Sequence, residues 1–69
     1  MDNLKSFVEN LNIEDAKKMK DIAETATFAI NANLQLKNKE ELLELTDNII
    51  LYTKDRIKKI AMIQIENNL

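Results

Sequence analysis

Lys54, Arg56, Lys58 and Lys59 form the one basic cluster of this 69-residue chain, with Lys17, Lys18 and Lys20 as a second run of lysines. Such a cluster could contact the phosphates of a nucleic acid. However, Asp15, Asp21 and Asp55 lie among these lysines, no aromatic is placed between them for stacking, and the formal net charge is −2. Bulk attraction to a polyanion is therefore not expected, and a solvated, charge-balanced helix face is the simpler reading. A helix-turn-helix would also need a shorter second helix than this sequence offers.

Glu40, Glu41, Glu44 and Asp47 could be drawn as a carboxylate set for a metal. Di-metal bundle sites combine such carboxylates with Glu-x-x-His motifs, and the chain has no histidine. Acids at the start of a helix account for the same residues, because carboxylates are stabilised by the positive end of the helix dipole. The hydroxyls are Ser6, Tyr52, Thr25, Thr27, Thr46 and Thr53. None has a neighbouring imidazole to activate it, and lysine or carboxylate alone would need a dry concave pocket. With Gly 0, Pro 0, Cys 0, His 0 and Trp 0, thiolate metal sites, disulfides and glycine-rich phosphate loops are excluded as well. The chain is therefore expected to be no enzyme, with no catalytic, cofactor-binding or metal-binding residue.

Positioning falls to helices. The absence of glycine and proline, with Ala, Leu, Lys, Glu and Ile abundant, favours long helices joined by short connections. Leu4, Phe7, Val8 and Leu11 mark one face of a short helix over 2–11. Asn12 reads as the cap of a second helix over 13–36, with Glu14 and Asp15 in its first turn. Its stripe of Ala16, Met19, Ala23, Ala26 and Ile30 is mostly small, which lets another backbone approach closely. Lys37-Asn38-Lys39 is the polar break, and Asn38 with Glu41 resembles a capping box. A third helix over 39–67 carries two apolar seams. One runs through Leu42, Leu45, Ile49, Tyr52, Arg56 and Ile63, the other through Leu43, Ile50, Ile57 and Ile60.

Folding the long helices antiparallel about that break opposes residues whose numbers sum to about 75. Leu45 then faces Ile30, Ile49 faces Ala26, Tyr52 faces Ala23, and Arg56 lies near Met19. Lys54 falls near Asp21, with Lys58 and Lys59 near Glu14 and Asp15. The first helix is expected to fold over the open end, turning Phe7, Val8 and Leu11 toward Ile60 and Ile63. The expected fold is thus all-α, one domain over 1–69: a short N-terminal helix followed by a long antiparallel helical hairpin.

A lone hairpin leaves apolar residues over. Ile22 and Phe28 on the second helix are among them, as is the C-terminal stripe Met62, Ile65 and Leu69. Contiguous exposed apolar area marks an interface. The expected protein interface is Leu43, Ile50, Ile57, Ile60, Met62, Ile63 and Ile65, closed by a homodimeric four-helix bundle or by another protein. Function is accordingly expected to be that of a small interaction module: a regulator, inhibitor, adaptor or chaperone-like factor. The alternative is a dimeric nucleic-acid-binding regulator using Lys54, Arg56, Lys58 and Lys59. The longest apolar run, Ile49 to Tyr52, is far short of the ~20 residues of a membrane span. The start, Met1-Asp2-Asn3-Leu4-Lys5, has no apolar signal region, so a cytoplasmic setting without membrane contact is expected.

Overall fold

The computed structural model describes residues 2–33 and 35–67 and is all-helical across them. Helix α1 is Asp2–Glu9, α2 is Ile13–Ala32 and α3 is Lys39–Asn67. Each boundary has a local chemical cause. At the end of α1 the Asn10 side-chain amide donates to the Ser6 carbonyl at 2.8 Å. The next amides tighten to i−3 partners, Asn10 N–H to Phe7 and Leu11 N–H to Val8, which ends the helix at Glu9 and not at 11. Asn12 caps α2 as its sequence position predicts: its backbone is extended and its side-chain oxygen accepts the Asp15 N–H at 2.8 Å. Replacing Asn12 with alanine should cost about 1 kcal/mol, read as a lower urea midpoint with unchanged slope.

The second helix stops at Ala32, four residues before the expected 36. Asn33 takes an extended conformation, and its side-chain oxygen accepts the Gln35 N–H at 3.1 Å, offering the chain a turn in place of another helical bond. No described residue has positive φ, so the stop is made without the left-handed cap that glycine would supply. The connection to α3 is thus longer than the expected 37–39 break; Leu34 within it lies outside the described residues, as does Leu69. Before α3 the Asn38 carbonyl accepts the Leu42 N–H at 3.0 Å. The capping box expected of Asn38 and Glu41 does not form: among the described residues no side-chain hydrogen bond is made by either.

Helices α2 and α3 pack antiparallel and make the principal contact, while α1 rests chiefly on α3. One groove between the long helices brings Lys17 and Asp21 to Lys58 and Lys54, the register that the hairpin pairing predicts. The rotation of α3 differs from prediction. Its buried line is Thr46 and Thr53, with Ile60 seven residues on partly covered, and the two expected seams flank this line. Leu45, expected in the seam, is 43% exposed. On α2 the corresponding line is Ala16 and Ala23, with Ile30 partly covered. In the hairpin register small Ala23 falls opposite small Thr53 at the middle of the contact, while Ala16 and Thr46 fall opposite the larger Ile60 and Ile30.

Threonine can occupy that centre because its hydroxyl is satisfied within its own helix. Thr53 Oγ1 donates to the carbonyls of Ile49 and Ile50 at 2.7 and 3.0 Å, and Thr46 Oγ1 to Leu43 at 3.0 Å. Among the described residues no buried side-chain polar atom is left without a partner, so these groups carry no unpaired desolvation cost.

In α1 the inward residues are Val8, fully buried, with Leu4 and Leu11 partly so. Phe7, expected to point inward, is 59% exposed, and Ile63 is 52% exposed rather than covered by it. Leu4, Val8 and Leu11 form the better row: facing α3 with the β-branched valine leaves the larger ring on the flank.

The result is a thin rod. Its extents are 51 × 23 × 13 Å, so the shortest dimension is close to the ~10–12 Å diameter of a single helix. The radius of gyration, 14.1 Å, exceeds the ~11 Å of a compact chain this long. Its accessible surface of 5478 Å² likewise exceeds the roughly 4,450 Å² of a compact monomer of this mass.

Candidate interaction surface

Where a rod one helix thick can hide so little, the surface carries large apolar side chains. Ile22, Phe28, Leu51, Met62 and Ile65 are all more than half exposed, Phe28 the most at 78%. The expected interface residues divide into two groups. Leu43, Ile50, Ile57 and Ile60 are partly covered by the hairpin itself. Met62, Ile63 and Ile65 are exposed on the last turns of α3, where residues 62–67 are all exposed. Helix α1 does not shield that terminal segment; it lies beside Tyr52, Asp55, Arg56 and Lys59, against which Lys5 and Glu9 are placed.

The basic cluster is divided between two sides of α3. Lys54 and Lys58 line the interhelical groove with Lys17 and Lys20, over an apolar floor at Ile57 and beside the carboxylate of Asp21. Arg56 and Lys59 turn to the α1 side. Lys59 stands with Glu9 and Lys5, and among the described residues neither it nor Lys58 forms the ion pair expected with Glu14 or Asp15. Arg56 serves the fold, since its Nε donates to the Leu11 carbonyl at 2.8 Å. That carbonyl lies just past the end of α1, where helices leave acceptors unpaired and cations are favoured. Sequence spacing gave no sign of this bond, which spans 45 residues.

The acidic residues do not converge on a point. Among the described residues no group of three or more His, Cys, Asp or Glu side chains could hold a metal ion. The one ion pair among the described residues is Lys20 with Glu24, at 2.8 Å across one helical turn. That hydrogen bond, then the charge of each partner, raises the Lys20 amine above its ordinary value and lowers the Glu24 carboxyl below its own, with Lys54 adding slightly to the latter. Being solvent-exposed, the pair is screened and contributes little to stability.

A second, apolar groove runs along α2 between Ile22, Ala26 and Ala29, bordered by Asp21 and Thr25. Both grooves are open to solvent, and Asp21 and Thr25, one helical turn apart in the second, make no hydrogen bond with each other. No described helix is long and apolar enough to cross a membrane.

On α3 the structure also isolates a row that the apolar seams had obscured. Glu40, Glu44, Asp47, Leu51, Lys54 and Lys58, spaced alternately by four and three residues, are all exposed. Such spacing keeps side chains on one face of a helix. The signal was available in the spacing of the charges, but it is silent to a search for apolar periodicity.

No family model, curated protein or solved structure matches the chain significantly.

Proposed function

We propose that the chain is a non-enzymatic interaction module, a small regulator, inhibitor, adaptor or chaperone-like factor that works by presenting helical surface to protein. The observation that carries this reading is the apolar end of α3, where Met62, Ile63 and Ile65 are 52%, 52% and 61% exposed. Apolar area of this kind, beyond what the fold uses, marks a contact site. Two further observations support a role without catalysis. The buried hydroxyls of Thr46 and Thr53 are bonded to their own helix, and the grooves are shallow and open. Association with a second copy, closing a helical bundle, or with another chain would cover this surface.

The test is proximity labelling in the source cell with the wild-type chain and with a variant carrying Met62→Ser, Ile63→Asp and Ile65→Ser. A protein recovered by the wild type and lost with the variant, at equal helicity, is the expected result. Identical recovery by both chains would count against the reading. The nucleic-acid alternative is weakened by the splitting of its four cations between two sides of α3 and by the use of Arg56 on Leu11.

A further inference from the structure

The exposed row on α3 reads Glu40, Glu44, Asp47, Leu51, Lys54, Lys58 in chain order. Acids occupy one end, lysines the other, and an apolar residue separates them. Within one chain this order is unfavourable. Glu40 with Glu44, Glu44 with Asp47, and Lys54 with Lys58 are like-charge neighbours at helical spacing, each mildly destabilising. The hairpin relieves only the lysine end, and that in part. Asp21 lines the groove beside Lys54 and Lys58, while Lys17 and Lys20 add further positive charge there. Glu24, already paired with Lys20, is near enough to Lys54 to feel its charge. Leu51, at the changeover, is 54% exposed.

The pattern becomes favourable when it meets its own reverse. Asp47 and Glu44 stand about 6 and 10.5 Å before Leu51 along the axis, and Lys54 and Lys58 about 4.5 and 10.5 Å after it. We propose that a second copy of this chain docks antiparallel along this row, with a twofold axis through Leu51, pairing Asp47 with Lys54 and Glu44 with Lys58 of the other copy. The two leucines meet at the axis. The small mismatch between the inner pair is within side-chain reach. A parallel arrangement would set acids on acids and lysines on lysines, so the charge order selects one orientation. The pairing is isologous, as a closed twofold dimer requires.

Area supports a second copy as the occupant. The chain exposes about 1,000 Å² more than a compact monomer of its mass, which is close to the ~800 Å² each partner contributes to a standard interface. Phe28 adds to that area on the same side. It shares a row of α2 with Lys17 and Asp21, which border the groove beside Lys54 and Lys58, and it is 78% exposed. An acidic protein or a polyanion would satisfy only the lysine end and would be repelled by the other.

This deepens the reading of the chain as an interaction module, and its test separates the two. Two variants are made in the full chain, Glu44→Lys with Asp47→Lys, and Lys54→Glu with Lys58→Glu. Sedimentation is measured at tens of micromolar, with circular dichroism confirming helicity. The wild type should be dimeric and should dissociate on raising salt from about 50 to 500 mM. Each variant alone should dissociate about tenfold more readily or worse, since attractions become repulsions. Mixed in equal amounts, the two variants should form a heterodimer. The proposal is overturned by a monomeric wild type at low salt, by variants as dimeric as the wild type, or by folded variants that fail to pair with each other. Ile65 continues the spacing of this row beyond Lys58, but changes at Met62, Ile63 and Ile65 leave its four paired charges in place, so either reading can fail while the other stands.

Discussion

Ala23→Leu is expected to destabilise the chain by about 1–3 kcal/mol, a large share of the roughly 3–10 kcal/mol available to a domain of this length. Ala23 is 3% exposed and Thr53, one of the two threonines on the line that α3 turns inward, is fully buried. Within the hairpin register these positions fall opposite each other, so the helices approach closely where both side chains are small. Three extra carbons have no void to enter and must separate the backbones, exposing Thr46 and Thr53 and loosening the flanking leucines and isoleucines. Urea unfolding followed by circular dichroism would show a lowered midpoint. Ala29→Leu, at an exposed position of the same helix, serves as the control and should leave the midpoint nearly unchanged. Equal midpoints for both variants would contradict the small-on-small packing.

Val8→Asp should release α1 while sparing the hairpin. Val8 is fully buried and is the anchor of a helix of eight residues, well below the length at which an isolated helix persists in water. A carboxylate there would be desolvated at a fully buried position, and the loss of valine burial alone is worth about 1.5–3 kcal/mol. The Arg56 bond to Leu11 cannot compensate, since it holds only the end of the segment. Hydrogen exchange should show the hydrogen-bonded amides of residues 6–11 losing their protection while the middle of α3 keeps most of its own. Retained protection at 6–11 would mean that Leu4, Leu11 and Arg56 suffice to dock α1.

The contrast between these two helices indicates what a single sequence can disclose. The start of α2 was legible because Asn12 is a local device, needing only the amide of Asp15 three residues away. The length of α3 was legible because its apolar pattern runs unbroken from residue 42 into the sixties. The end of α2 was not, because Asn33 competes with the helix through a turn to Gln35 that composition does not advertise. The rotation of α3 was missed for a different reason. Threonine counts as polar in any periodicity, yet Thr46 and Thr53 direct that polarity to their own backbone and are buried like apolar residues. In α1, Phe7 and Val8 are adjacent, and either could have faced inward; eight residues hold too few repeats to decide. Of the anticipated interface, the apolar excess at Met62, Ile63 and Ile65 was visible because nothing in the hairpin opposes it, whereas Leu51 and the ordered charges around it emerged only with their exposure.

The lines Ala16–Ala23–Ile30 and Thr46–Thr53–Ile60 advance by sevens, and this makes length an adjustable property of the molecule. Seven residues added to both long helices at matched positions would return every side chain to its present side and extend the rod by about 10.5 Å. Three or four residues added to one helix alone would turn its small residues out of the contact and bring others in. The separation of the two long helices, by contrast, is set by the approach of alanine to threonine and does not grow by such steps. The structure is in this sense a ruler cut from a repeating stock, whose graduations are set by its core and whose second helix is measured off by two asparagines, Asn12 and Asn33.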